Sequence, residues 1–235
     1  MALEEYKRKR DFKKTPEPEG KVAAKTPERE RFFCVQKHLA SHLHYDFRLE
    51  HNGVLLSWAV PKGPSLDPST QRLAMKVEDH PVEYGEFEGV IPEGYGAGIV
   101  MLWDRGTWTP ESADVDAALK KGDLKFALHG KKLQGSWVLV RLKPRGGESR
   151  AGWLLIKHRD EFASTRDIAE EEPRSVVSDR ILIEIARDEG GDMEKAATGD
   201  PASLLKKIAQ NPKLLKPPRR GAKTKKAVWH SNRAS

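Results

Sequence analysis

Within residues 43–50, LHYDFRLE, three side chains able to do chemistry fall on alternate positions: His44, Asp46 and Arg48. Between them Leu43, Tyr45, Phe47 and Leu49 keep the same period of two, the mark of a β-strand with one buried and one open face. Residues i and i+2 on a strand share a face with Cα atoms roughly 6.5–7 Å apart, so His44 and Asp46 can converge on one ion. His38, just upstream across a short connection, can complete a facial set of two nitrogens and one carboxylate oxygen. With open positions left, such a set suits Mn²⁺ or Fe²⁺ and accommodates Zn²⁺. Arg48 continues the face, and its planar fork can hold two phosphate oxygens where an ammonium cannot. The same residues also suit a solvated strand face with local salt bridges, Arg48 then pairing with Asp46 or Glu50.

Other candidates stand further along. Lys62 sits in the Gly/Pro-rich turn VPKGPS, where substrate contacts often occur and where a solvated lysine is equally at home. His80 and Tyr84, in VEDHPVEY, form a second polar group, and a histidine before proline is held extended. Its ordinary pKa near neutrality suits general-acid or charge-stabilising work. IPEGYGAG is glycine-rich but has neither the spacing nor the lysine of a phosphate-cradling loop, and reads as a tight connection between strands. A rival constellation remains open. His44 and Asp46 can pair with the distant His129 as an iron-oxygenase triad, leaving Arg141 to hold a cosubstrate carboxylate.

The elements that must position these groups are short. From Phe32 onward, alternating or apolar stretches such as FFCVQ, VLLSWAV, GIVMLW, LKFALH, GSWVLVRL and GWLLIKH are separated by HNG, PKGPSLDPS, RGT and KPRGG. Many short strands with this punctuation predict an all-β sandwich or barrel. DVDAALKKGD is the clear helical insert, with an aspartate start and a glycine stop. Ile181, Leu182 and Ile185 predict a helix capped at Ser178, although Ile181, Ile183 and Ile185 also fit a strand. Residues 1–31 mix charge, proline and glycine without apolar period and read as a flexible, extended arm. A domain over 32–187 then gives way to a linker and basic tail over 188–235, disordered apart from a short helix near PASLLKKIAQN.

Charge is distributed unevenly. The net +7 resides in residues 205–235, which hold ten Lys or Arg and no acid, while the remainder is net −3. A basic tail favours polyanions through counterion release. The apolar runs are too short to span a bilayer, and no signal-peptide stretch follows the charged start, so membrane insertion and export are not expected. The single cysteine, Cys34, cannot form an intramolecular disulfide, in keeping with a reducing, cytoplasmic setting.

QKHLASHLHYDFRLE joined to VEDHPVEY closely resembles the 3′-phosphoesterase domain of bacterial DNA ligase D, a family serving non-homologous end joining. The resemblance runs from Phe32 to Trp108 and continues more loosely to the SDR segment near residue 178. It implies a compact β-barrel with a divalent-metal site, manganese preferred, that trims DNA 3′ ends. A terminal ribonucleoside goes first and the remaining 3′-phosphate second, leaving a 3′-OH. Carried over by position, the metal ligands are His38, His44 and Asp46. Arg48, His80 and Tyr84 match residues essential to activity, and Gln36, Lys62 and Arg72 match positions near the metal or phosphate. The implied partners are DNA ends, a ligase, a repair polymerase and a Ku-type end-binding protein in trans, in the cytoplasm at the nucleoid. Two departures stand out. The loop EGYGAG is one residue shorter than the family's usual reading, which puts contacts of Glu93 and Tyr95 in question, and ligase and polymerase modules do not follow. A free-standing phosphoesterase is therefore expected, and a non-catalytic barrel that binds DNA ends and recruits a ligase or polymerase is the alternative.

Overall fold

A computed structural model describes residues 3–23, 31–143 and 152–218. In chain order the elements are α1 (Glu4–Arg8), β1 (Arg31–Leu39), β2 (Leu43–His51), β3 (Val54–Val60), β4 (Arg72–Lys76), β5 (His80–Pro81), β6 (Gly89–Ile91) and β7 (Gly98–Pro110). There follow α2 (Val115–Lys121), β8 (Asp123–Gly130), β9 (Gln134–Arg141), β10 (Gly152–Lys157), α3 (Ile168–Glu171), α4 (Leu182–Glu189), α5 (Met193–Ala197) and α6 (Ala202–Gln210). A 3₁₀ turn, Val82–Glu86, links β5 to β6.

The strands run in the order β1-β2-β3-β4-β10-β9-β8-β7, and β7 pairs back onto β1, closing an antiparallel barrel. The mainly β barrel expected from the sequence is thus the observed fold. The period-two pattern works as read. Phe33 and Val35 of β1, Tyr45, Phe47 and Leu49 of β2, and Trp58 and Val60 of β3 enter the interior. There they meet Phe126, Trp137, Trp153 and Leu155. Rings pack edge to face, Trp58 on Trp153 at 6.0 Å and Tyr45 on Trp103 at 5.4 Å. Truncating one such ring to alanine costs about 3–5 kcal/mol. β1 and β7 shift register between Val35 and Gln36, a bulge that falls beside the polar residues of β1.

Local signals placed α2 correctly: the Asp114 carboxylate accepts from the Ala117 N–H, and Gly122 ends the helix at φ 83°. Three expectations need correction. Residues 1–31 are not simply an extended arm, because Glu4–Arg8 is helical and Tyr6 is completely buried; residues 24–30 lie outside the described part. The helix near residue 182 is not capped by Ser178, whose hydroxyl instead meets Glu88. Its first amides, Leu182 and Ile183 N–H, donate to the Asp200 carboxylate at 3.0 and 2.9 Å. Asp200 is itself buried, with Ala196 and Ile208 packed into the core, so the chain beyond residue 188 builds α5 and α6 against the barrel rather than a linker. The basic tail from residue 219 lies outside the described residues.

Candidate active site

The polar face of β1, β2 and β3 is the outside of the barrel wall, yet it is not open to water. Asp46 and Arg48 are 6% and 2% exposed, because the 3₁₀ turn, β5 and the α1 segment roof them. The registers His38↔His44, Gln36↔Asp46 and Arg48↔Ser57 line these side chains up across three strands.

His38, His44 and Asp46 converge so that one ligand atom from each lies within 4.8 Å of the others. Asp46 Oδ2 is 3.4 Å from His38 Nδ1, and Oδ1 is 3.7 Å from His44 Nε2. The far nitrogens are occupied: His38 Nε2 lies 2.9 Å from the Gly96 carbonyl and His44 Nδ1 3.0 Å from the His42 carbonyl. A carbonyl only accepts, so each of those nitrogens carries its proton and the inward nitrogen of each ring is the one left to ligate a metal. Burial also holds His44 below its ordinary pKa, against the pull of Asp46. Burial pushes the Asp46 carboxyl up, but the Arg48 guanidinium and the two imidazoles outweigh it and keep the group well below the usual carboxylate range. Two imidazoles and an ionised carboxylate, oriented from behind, fit a divalent cation.

Arg48 is fixed on three sides. Its Nε donates to Gln36 Oε1 at 2.8 Å, Nη1 to Ser57 Oγ at 2.7 Å and Nη2 to Asp46 Oδ2 at 3.0 Å. Gln36, fully buried, donates from Nε2 to the carbonyls of Tyr84 and Phe87, which anchors the 3₁₀ turn over the strands. The Tyr84 ring lies over the Arg48 guanidinium at 4.9 Å and beside His80 at 4.8 Å. His80 Nδ1 donates to the Glu78 carbonyl at 2.9 Å, leaving Nε2 to accept from Arg10 Nη2 at 3.3 Å. Burial, reinforced by the charges of Arg48 and Arg10, holds the His80 pKa well below its ordinary value, so this ring is neutral. Burial likewise keeps the Tyr84 phenol protonated.

A cavity of about 300 Å³ opens onto this set, lined by His38, His44, Asp46, Arg48, His80 and Tyr84 among others. Gln36 stands behind it, holding Arg48. Lys62, exposed in the turn after β3, and Arg72, half-buried at the start of β4, do not line it. His129 is exposed on β8, its Nε2 near Thr109 Oγ1, and takes no part in the convergent set, so the oxygenase alternative has lost its third ligand. Cys34, within β1, is buried, its thiol pushed up to about 12 by desolvation, which suits no nucleophile.

The sequence reading missed the contribution of the first twenty residues. Arg10 enters the cavity, its guanidinium stacked on Tyr6 at 3.9 Å and bonded through Nε to Glu17 Oε1 at 2.9 Å. Tyr6 in turn packs edge-on against His80 and Tyr84. An arginine at the end of the run Lys7–Arg10 carries no periodic signal; Tyr6, an aromatic four residues before it, was the available hint. Tyr95 and Gly96 of the glycine-rich loop also line the cavity, so this loop reaches the site.

A roofed β-barrel that gathers a candidate divalent-metal set and a buried guanidinium in one cavity has the makings of a phosphoesterase site. Comparison with known proteins agrees: residues 36–141 match the family of the DNA ligase D 3′-phosphoesterase domain, and this part of the chain belongs to it. The chain is 54% identical over 185 residues to the multifunctional non-homologous end joining protein LigD of Pseudomonas aeruginosa, covering 77% of this chain and 22% of that protein. It is 46% identical over 140 residues to the corresponding protein of Mycobacterium bovis, and 40% identical over 165 residues to that of Mycolicibacterium smegmatis. These alignments cover 59% and 68% of this chain. The chain spans about a fifth of the length of each of these curated relatives, 18–22%. No helix among the described residues is long and apolar enough to cross a membrane.

Proposed function

We propose that this protein is a metal-dependent phosphoesterase of DNA 3′ ends, removing a terminal ribonucleoside and then the 3′-phosphate to leave a 3′-OH for break repair by end joining. The observation that carries the reading is the convergence of His38 Nδ1, His44 Nε2 and an Asp46 oxygen in the cavity that Arg48 also lines. Manganese is the metal we favour, since two imidazoles and one carboxylate with open positions suit it. Bound there, it supplies a Lewis acid that draws charge from the phosphoryl oxygens.

The chain's own residues do the rest. Arg48, with three of its five N–H donors engaged, has donors left for a phosphoryl oxygen. Arg10 faces the same cavity from the opposite roof, so two guanidiniums can share the charge that builds in the transition state. His80 is neutral and accepts from Arg10, which makes it the residue that orients that guanidinium rather than a proton donor in this state. Tyr84 shields Arg48 from water and offers a protonated phenol; Gln36 acts as a positioning residue. Lys62 and Arg72 serve the DNA backbone beyond the cavity. The basic tail adds sequence-independent affinity that falls with salt. A ligase, a repair polymerase and a Ku-type end-binding protein are the partners this reading requires, at the nucleoid in the cytoplasm.

The test is a labelled primer–template ending in one ribonucleotide, and another ending in 3′-phosphate, each incubated with Mn²⁺ or with EDTA. Metal-dependent conversion to 3′-OH, lost in His44→Ala, is the expected result. Tight DNA binding without conversion under any metal would instead establish a non-catalytic end-binding module.

A further inference from the structure

A second cavity, of about 310 Å³, adjoins the first between the stretch following α1 and the loop joining β6 to β7. Arg10 and Tyr95 line both cavities and so stand at their boundary. Tyr95 is 48% exposed, a large aromatic face at the mouth of a site where phosphate is expected. Its ring is steadied by cations, with Lys9 Nζ at 4.6 Å from the centroid and Arg10 Cζ at 5.7 Å. Gly94 and Gly96 flank it at φ 89° and 78°, a left-handed backbone that holds the ring out of the loop. The Gly96 carbonyl meanwhile engages His38, so ring and candidate metal ligand share one short anchor.

The lining of the second cavity is charge-balanced. Lys9, Arg10 and Lys14 face Asp11, Glu17 and Glu93, with Arg10 paired to Glu17 at 2.9 Å and Lys14 to Glu93 at 3.3 Å. A balanced wall offers no net attraction to a further phosphate, but its polar groups suit an uncharged ligand with hydrogen-bonding edges and a flat face. A nucleoside has those properties. A small cavity beside the phosphate site also fits the group that ends a strand better than a nucleotide continuing into duplex.

We infer that this cavity receives the 3′-terminal nucleoside that leaves when the phosphodiester is cut, with Tyr95 as its stacking surface; the inference rests on the function proposed above. In that step water adds to phosphorus and the bond from phosphorus to the nucleoside 5′-oxygen breaks. The 5′-oxygen takes up a proton, and the strand keeps a 3′-phosphate. The nucleoside departs from its own cavity while the phosphate stays where the second hydrolysis occurs.

The experiment compares Tyr95→Ala and Tyr95→Phe with the unaltered protein on the ribonucleotide-ended and the 3′-phosphate-ended primer–templates. A base–aromatic stack is lost only from the first substrate, so kcat/KM for ribonucleoside removal in Tyr95→Ala falls about tenfold more than kcat/KM for phosphate removal. Tyr95→Phe keeps the original ratio. Equal losses on both substrates, or no loss, overturn the inference while leaving the proposed function standing. A second arm needs no turnover: 2-aminopurine is placed as the terminal base and DNA is bound in EDTA. Fluorescence quenching by the unaltered protein but not by Tyr95→Ala supports the stacking site. Tyr95-dependent quenching only when the probe lies one nucleotide upstream overturns it. If the unaltered protein releases neither product, the proposed function fails, and the fluorescence arm still decides what Tyr95 binds.

Discussion

Gln36→Met tests whether the roofed network is a fixed structure. The substitution keeps nearly the same shape, so it removes polar groups without opening a cavity. Gln36 is fully buried and makes three hydrogen bonds: one from the Arg48 guanidinium and two to the Tyr84 and Phe87 carbonyls. The charged bond contributes about 1.5–3 kcal/mol and each neutral one about 0.5–1.5 kcal/mol. Their loss therefore costs about 3–5 kcal/mol, offset by about 1 kcal/mol from the more apolar methionine side chain. A net loss of about 3 kcal/mol corresponds to a fall in Tm of about 6–12 °C for a domain of this size. Urea titration with an unchanged slope, alongside thermal melting, reads the effect cleanly. Because Arg48 loses its tether, phosphoesterase kcat falls more steeply than substrate affinity. A stability loss under 1 kcal/mol would refute the reasoning, since it would mean that the carbonyls and the guanidinium find other partners at no cost.

The metal set is measurable without any reaction. Mn²⁺ at a hundredfold above its Kd stabilises the folded state by about 2.7 kcal/mol and raises Tm by about 5–10 °C; His44→Ala abolishes the shift, and an equal shift in the variant counts against the site. Asp104 accepts from the N–H groups of Lys131, Lys132 and Leu133, yet burial raises its pKa from 3.8 to about 6. A folded pKa above the unfolded one favours folding at low pH, with the benefit lost as pH rises through 6. Relative to Asp104→Asn, the unaltered protein therefore gains about 1.4 kcal/mol between pH 7.5 and pH 5, read from denaturant midpoints at each pH; a relative loss would show that the three N–H donors keep the carboxylate ionised. Asp200→Ala leaves two amides at the start of α4 without a partner, which costs about 1–2 kcal/mol and speeds hydrogen exchange at Leu182 and Ile183 first.

What could be read from the sequence was what is encoded locally. Leu43 to Arg48 announces its two faces by simple alternation, and Asp114 and Gly122 bracket α2 within one short stretch. The convergence of His38, His44 and Asp46 follows because β1 and β2 form a hairpin whose register pairs the two histidines directly. What escaped is built from distant pairs. Asp200 caps a helix that begins at residue 182, and nothing near Ser178 signals that exchange. The polar strand face looked solvated because its cover comes from Tyr6, Arg10 and Tyr84, residues brought there by the fold alone. Lys62 and Arg72 are cations of the right type, but only their positions could show that they stand outside the cavity.

The barrel wall has a consequence for how such a chain can vary. In β1 and β2 the scaffold and the chemistry are written in alternate letters of one message: Val35, Tyr45 and Phe47 for the interior, Gln36, His38, Asp46 and Arg48 for the outside. Single replacements can revise either text separately. Inserting or deleting one residue in these strands exchanges the two, placing guanidinium and carboxylate among the interior tryptophans and moving phenylalanine to the roofed outer face. Length changes therefore belong in the connections, and β1 and β2 can change in spelling but not in count.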